Sequence, residues 1–135
     1  MNEPTELPVR TPRVWLHYAQ GDLGVALREA EYETPTHFTI CFLCQGAAEK
    51  FLKAYLISQG WELIRTHDIV ELLEYCCDYD PGFGGLMEHG RVLNEYIIAG
   101  RYPGNVAFEE IGPDETREAL QAACQIRDAV VARLA

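Results

Sequence analysis

Basic charge is scarce in this chain: 11 lysines and arginines stand against 21 aspartates and glutamates, for a formal net charge of -10 over 135 residues. Broad coating of nucleic acid or of an anionic membrane calls for a basic surface, so the balance argues against both, while a local basic pocket stays compatible with an acidic whole. No apolar run is long enough to cross a bilayer, and the opening MNEPTELPVRTP has no apolar core of the kind a secretion signal carries. The expectation is a cytoplasmic protein with no membrane partner. An even set of cysteines is missing too. Cys41, Cys44, Cys76, Cys77 and Cys124 make an odd count that fits reduced thiols better than a disulfide framework. Cys41 and Cys44 have the two-residue spacing of a redox or zinc pair, but they lie inside the apolar run ICFLC and no second pair follows. They read as small hydrophobes, and no metal or cofactor is expected.

What is present is a long stretch without proline, His37 to Gln59, that is apolar on more than one face. At about 100° per residue, Phe38, Cys41, Phe42, Ala48, Leu52, Tyr55 and Leu56 share one face, and Ile40, Leu43, Ala47, Phe51 and Ala54 the opposite one. Thr39, Gly46, Lys50 and Lys53 form a narrow strip between them. A helix apolar nearly all round must be buried nearly all round. In so short a chain the expectation is a bundle core on one side and a second copy of the chain on the other, a homodimer in which the Ile40, Leu43, Ala47, Phe51 and Ala54 face, or part of the fourth helix, is buried; in a monomer the first or last helix would have to cover that face. Gln45 and Glu49 fall in the middle of the first apolar face, where a carboxylate needs a partner.

The remaining segments are read around this helix. Residues 1-12 carry Pro4, Pro8 and Pro12 and read as extended or disordered; residues 13-135 read as one domain. A first helix spans Arg13 to Glu31 with Leu16, Ala19, Leu23, Ala26, Leu27 and Ala30 on one stripe, and Asp22 placed to meet a basic group across the bundle. Thr36 is available to cap the central helix, and Gly60 ends it. A third helix opens at Thr66-His67-Asp68, with Thr66 or Asp68 as its cap. Residues 78-85 read as a loop by their proline and glycines, Leu86 to Ala99 as a fourth helix ended by Gly100, and Asp114 to Leu134 as a fifth with Ala119, Ala123, Ile126, Val130 and Leu134 on one stripe. Pro103 keeps Arg101-Tyr102 out of any regular helix, and the turn is expected to fold back over the bundle. The fold class is all-α, an up-and-down bundle of about five helices.

Gln45 to Lys53 (QGAAEKFLK) with Tyr55-Leu56-Ile57, then Thr66-His67-Asp68 leading into Leu72-Leu73, then Leu93-Asn94 and Tyr96 leading into Arg101-Tyr102-Pro103, together resemble the HEPN family of small helical domains. The resemblance implies a bundle that commonly dimerises, links to nucleotides and RNA, and frequent pairing with a small nucleotidyltransferase in toxin-antitoxin modules. Many members resemble one another in an arginine followed after four to six residues by histidine, the mark of ribonucleases. This chain departs from that motif. After Arg91 the required positions hold Tyr96, Ile97 and Ile98, after Arg101 they hold Val106, Ala107 and Phe108, and the formal match of Arg10 to His17 lies in the wrong element. Each missing acid-base group removes roughly a hundredfold to ten-thousandfold from RNA cleavage.

The resemblance also gathers Gln45, Glu49, Lys53, His67, Asp68, Tyr96 and Arg101, with Arg101 or His67 as the partner of Glu49. In one reading they form a self-satisfying network that fixes packing, and this is the preferred one, since such a network leaves few donors for a ligand. In the other, the basic groups hold a phosphate while Tyr96 or Tyr102 stacks on a base. The expected function is a non-catalytic binding module for a nucleotide or RNA end, with a nucleotidyltransferase as protein partner. The alternative is a metal-independent ribonuclease with departed catalytic residues, using His67 as base and Arg101 as electrophile.

Overall fold

A computed structural model of the protein describes residues 11-62, 65-97 and 111-134. Among them are five α-helices and no strand: α1 (Pro12–Glu29), α2 (His37–Ser58), α3 (Ile69–Cys77), α4 (Met87–Asn94) and α5 (Pro113–Leu134), with a 3-10 helix at Pro81–Leu86 before α4. The all-α bundle is therefore the observed architecture. Residues 1-10 and the turn carrying Arg101 and Tyr102 lie outside the described residues, as does Gly100.

Helix α2 is the axis. It packs against α1 on one side, α5 on another and α3 at its C-terminal half. Asp22 meets Lys50 and Trp15 meets Lys53, so residue numbers rise on α1 as they fall on α2 and the two helices are antiparallel. Ile40, Ala47, Phe51 and Ala54 are fully buried within the chain. The expectation that this face is covered by a second copy is therefore corrected. The physical reason lies in α5, whose inward residues Ala119, Ala122 and Ala123 are small and fully buried, so that its backbone approaches α2 closely and closes the second face. Only Leu43 of that face stays partly exposed.

Local chemistry sets the helix ends. Pro12 begins α1, where a missing N–H costs nothing. Gly60, at φ +99°, ends α2: its N–H donates to the Ile57 carbonyl at 3.0 Å and Trp61 N–H donates to the Leu56 carbonyl at 3.1 Å, the paired closure that favours glycine. Thr36 precedes α2 without a side-chain capping bond, contrary to expectation; its backbone N–H donates instead to Glu29 Oε2 at 3.0 Å. Asp68 caps α3 by accepting from Glu71 N–H at 3.1 Å, a bond of a kind worth about 1 kcal/mol.

The glycine-rich segment read as a loop is the 3-10 helix. Asp80 accepts from Gly82 N–H at 2.9 Å and from Arg133 of α5 at 2.6 Å, while Phe83 is fully buried with the Arg133 guanidinium 4.6 Å from its ring centroid. Helix α4 ends at Asn94 rather than at Ala99. Leu93 and Tyr96 face inward. No helix among the described residues is long and apolar enough to cross a membrane.

Candidate functional site

The third to fifth turns of α2 present Gln45, Glu49 and Lys53 at four-residue spacing, so all three side chains stack on one face. All three are buried. Lys53 Nζ donates to Glu49 Oε2 at 2.8 Å, its side chain 4 % and that of Glu49 11 % exposed. Gln45 Nε2 donates to Glu49 Oε1 at 3.2 Å and to the His67 carbonyl at 3.1 Å. His67 Nδ1 lies 3.0 and 3.1 Å from the two carboxylate oxygens. A carboxylate only accepts, so Nδ1 carries the hydrogen and Nε2 is left on a half-exposed ring. Glu49 is thus fully partnered, and the segment after α2 is held to α2 through both the side chain and the backbone of His67.

Burial alone would raise the Glu49 pKa, but the hydrogen bonds and charges of Lys53 and His67 outweigh it and hold the carboxyl below the usual glutamate range. A depressed folded pKa contributes stability that is fully present above the unfolded glutamate value and is lost as pH falls through the folded one. The expected result in acid is a fall in stability that Glu49→Gln lacks, read from denaturant midpoints measured between neutral pH and pH below the glutamate range. Equal acid sensitivity in both proteins would show that Glu49 carries none of it.

Beside the network lies an open cleft of about 540 Å³ between α1, α2 and the segment at 65-67. Glu49, Lys53 and His67 form part of its wall, joined by Trp15, Lys50 and Arg65. Lys50 Nζ is 2.7 Å from Asp22 Oδ2, and Gly46 leaves room beside the pair: a Cβ there would stand 3.3 Å from that oxygen, a tight contact. Trp15 lies under the Lys53 ammonium, 5.7 Å from ring centroid to Nζ. Arg65 is exposed and makes no hydrogen bond or ion pair among the described residues. Two lysines, an arginine and an imidazole therefore meet two carboxylates here, the reverse of the balance in the whole chain.

Two expected members stand elsewhere. Asp68 faces α4, accepting from Asn94 Nδ2 at 2.8 Å while Asn94 Oδ1 accepts from Ile69 N–H at 2.7 Å; the pair ties α3 to α4. Tyr96 is buried beside the Cys41 thiol, its hydroxyl held above the tyrosine range first by burial. Burial likewise pushes Cys41 up to about 11, and Thr116 Oγ1, bonded to His37 Nδ1 at 2.8 Å, closes that second cluster. Arg101 and Tyr102 lie outside the described residues; among the described residues Glu49 meets His67, one of the two expected partners, and Lys53, which was not expected in that role. Trp15, Lys50 and Arg65 were not among the expected site residues. Lys50 was legible as the group one α2 turn before Lys53 and opposite Asp22; Arg65 sits in a crossing segment with no periodicity to place it.

The sequence profile of the HEPN domain family matches residues 12-134. Two crystal structures are similar. One is described as ST0689, an archaeal HEPN homologue, at 24 % identity and TM-score 0.73, covering 93 % of this chain and 98 % of that one. The other is TT1696 from Thermus thermophilus, at 28 % identity and TM-score 0.69, covering 88 % of this chain and 94 % of that one. Among curated proteins no match is found.

Proposed function

The chain belongs to the HEPN domain family, and on that premise we propose that it is a non-catalytic binding module whose cleft takes a phosphate-bearing ligand, a nucleotide or the end of an RNA. The observation that carries this reading is the cationic cleft in a chain of net charge -10, with Arg65 exposed and unpaired among the described residues at its edge. A guanidinium suits a phosphate by charge and by its forked donors. Network and pocket are not exclusive: Glu49 holds Lys53 and His67 in place from within, and their outer surfaces line the cleft.

The reading includes protein partners. HEPN domains commonly dimerise, and a homodimer here would use a surface other than the buried Ile40 to Ala54 face. The family's frequent pairing with a small nucleotidyltransferase in toxin-antitoxin modules makes such a protein the expected second partner. One observation favours a ribonuclease instead: a histidine oriented through Nδ1 by a carboxylate, with Nε2 left over, is the arrangement of a general base.

The test is titration of adenosine monophosphate and of labelled RNA at low salt. The expected result is binding that Arg65→Ala weakens by about tenfold with the melting curve unchanged, since Arg65 supports no described contact. A wild-type protein that binds neither ligand would sink the binding reading. RNA cleavage abolished by His67→Ala would replace it with the enzyme.

A further inference from the structure

The side of α1 turned away from the core is apolar where a surface helix is ordinarily most polar. Leu16, Ala19, Leu23 and Ala26 set the inward direction, and at about 100° per residue the positions opposite them are Val14, Tyr18, Gly21, Val25 and Arg28. Of the six large hydrophobic side chains exposed among the described residues, Tyr18, Val25 and Leu27 stand on α1 and Tyr32 just past its end, so the exposure is concentrated rather than scattered. The chain stays coiled as far as Tyr32: Glu31 N–H donates to the Arg28 carbonyl at 3.1 Å and Tyr32 N–H to the Glu29 carbonyl at 3.2 Å. Val14, Tyr18, Gly21, Val25, Arg28 and Tyr32 therefore follow one another at alternate spacings of four and three, the seam of a two-helix coiled coil. Glycine in the middle of that seam has no cause inside the chain. A Cβ on Gly21 would meet nothing within 4 Å, and alanine there would favour the helix. A bare backbone does allow close approach from outside.

Charge says what approaches. Helix α1 opens with Arg13 and His17 and has no carboxylate before Asp22, whereas Glu29, Glu31 and Glu33 crowd its end. Arg13, Arg28, Glu31 and Glu33 form no ion pair among the described residues. A segment cationic at one end and anionic at the other is complementary to itself when antiparallel. In a two-fold arrangement centred midway between Gly21 and Val25, Val14 meets the partner's Tyr32, Tyr18 the partner's Arg28 and Gly21 the partner's Val25, and each contact occurs twice. Arg13 then faces the partner's Glu33 and His17 the partner's Glu29, while Arg28 lies against an aromatic ring as a cation–π pair. A parallel pair would set Arg13 against the partner's Arg13 and Arg28 against the partner's Arg28. The antiparallel register also brings the partner's Tyr32 to an apolar depression of about 210 Å³ lined by Val14, Trp15, Tyr18 and Lys50. Trp15 and Lys50 line the cleft as well. We infer that two copies of the chain pair through α1, antiparallel about Gly21 and Val25, and that the partner's Tyr32 completes the rim of each cleft. This rests on the homodimer in the reading above, to which it gives a surface, and is independent of the ligand proposed there.

The test is sedimentation equilibrium of the full chain and its variants. Wild type is expected to be a dimer at tens of micromolar, an order-of-magnitude choice for a stable interface. Gly21→Leu fills the notch in the seam and Val25→Glu puts a carboxylate there; each should weaken the dimer by at least about thirtyfold, and melts at concentrations where wild type is monomeric confirm that both variants fold. Arg13→Glu and Glu33→Arg should each weaken it by about tenfold, since every dimer holds the pair twice. An equimolar mixture of those two variants should regain wild-type affinity, because only opposite charges then meet. In a Trp61→Phe background the emission of Trp15 should change as the dimer forms, and Tyr32→Ala should remove that change. A monomeric wild type would overturn the inference and take the homodimer of the reading above with it. A dimer left intact by Gly21→Leu and Val25→Glu would overturn the α1 surface alone. Mixing without recovery would overturn the antiparallel register, and a Trp15 emission indifferent to Tyr32→Ala would overturn the place given to Tyr32.

Discussion

Phe51→Ala is expected to destabilise the folded chain by about 3–5 kcal/mol, the usual cost of emptying a fully buried phenylalanine site. The ring lies on α2 with no exposed surface, in a core that α1 and α5 close from either side. Its removal strips transfer energy from the largest class of side chain in the core and leaves a cavity that the flanking helices cannot fill without giving up their own contacts. A thermal melt should show the midpoint lowered by roughly 10–20 °C for a domain of this size. The same residue on a dimer interface would behave differently. Its truncation would shift the association constant, and the melting temperature would depend on protein concentration. A variant whose melting midpoint falls below wild type only at low protein concentration, or that differs from it only in sedimentation, would restore the interface reading of this face.

The error about that face is instructive because both observations behind it were sound. A helical wheel shows that α2 must be covered on two sides, but it says nothing about what covers it, and α5 offers few large side chains to advertise the role. Ala119, Ala122 and Ala123 are fully buried because they are small. Low side-chain volume reads as weak amphipathicity in sequence and as close backbone approach in space. Gln45 and Glu49 were legible as misplaced polar groups on an apolar face, and so was the need for a partner. Which partner was harder: Lys53 sits on a strip that looks solvated, yet its stem is buried and only the four-residue spacing from Glu49 hints at the bond. The glycine-rich stretch before α4 misled for a similar reason, since Phe83 was its one sign of burial and the arginine that covers it, Arg133, is fifty residues away in sequence. Asn94 belonged to the family pattern without a role, and its bonds to Asp68 and Ile69 give it one that no periodicity encodes.

The second large effect falls on the pair at the centre of the site. Lys53→Met keeps the stem's volume and removes the ammonium, leaving Glu49 buried with His67 and Gln45 as its remaining partners. Loss of one member of a buried ion pair costs about 3–5 kcal/mol, because the remaining charge stays desolvated. The partners that remain place this case at the lower end, about 3 kcal/mol. Glu49→Gln with Lys53→Met removes both charges, and the double variant should recover much of the loss, so denaturant melts of the two singles and the double give the coupling directly. A coupling near zero would mean that His67 alone satisfies the carboxylate, and Lys53 would then be held for the ligand rather than for the fold. A large coupling would fix the order of dependence in the opposite sense: Glu49 and Lys53 stabilise each other first, His67 is positioned by that pair, and the cleft presents to a phosphate only the groups at its edge, Arg65 and Lys50, together with the outer face of the imidazole. In that case Arg65→Ala should weaken nucleotide binding in the Glu49→Gln/Lys53→Met background by the same factor as in wild type, since its contribution would not pass through the pair.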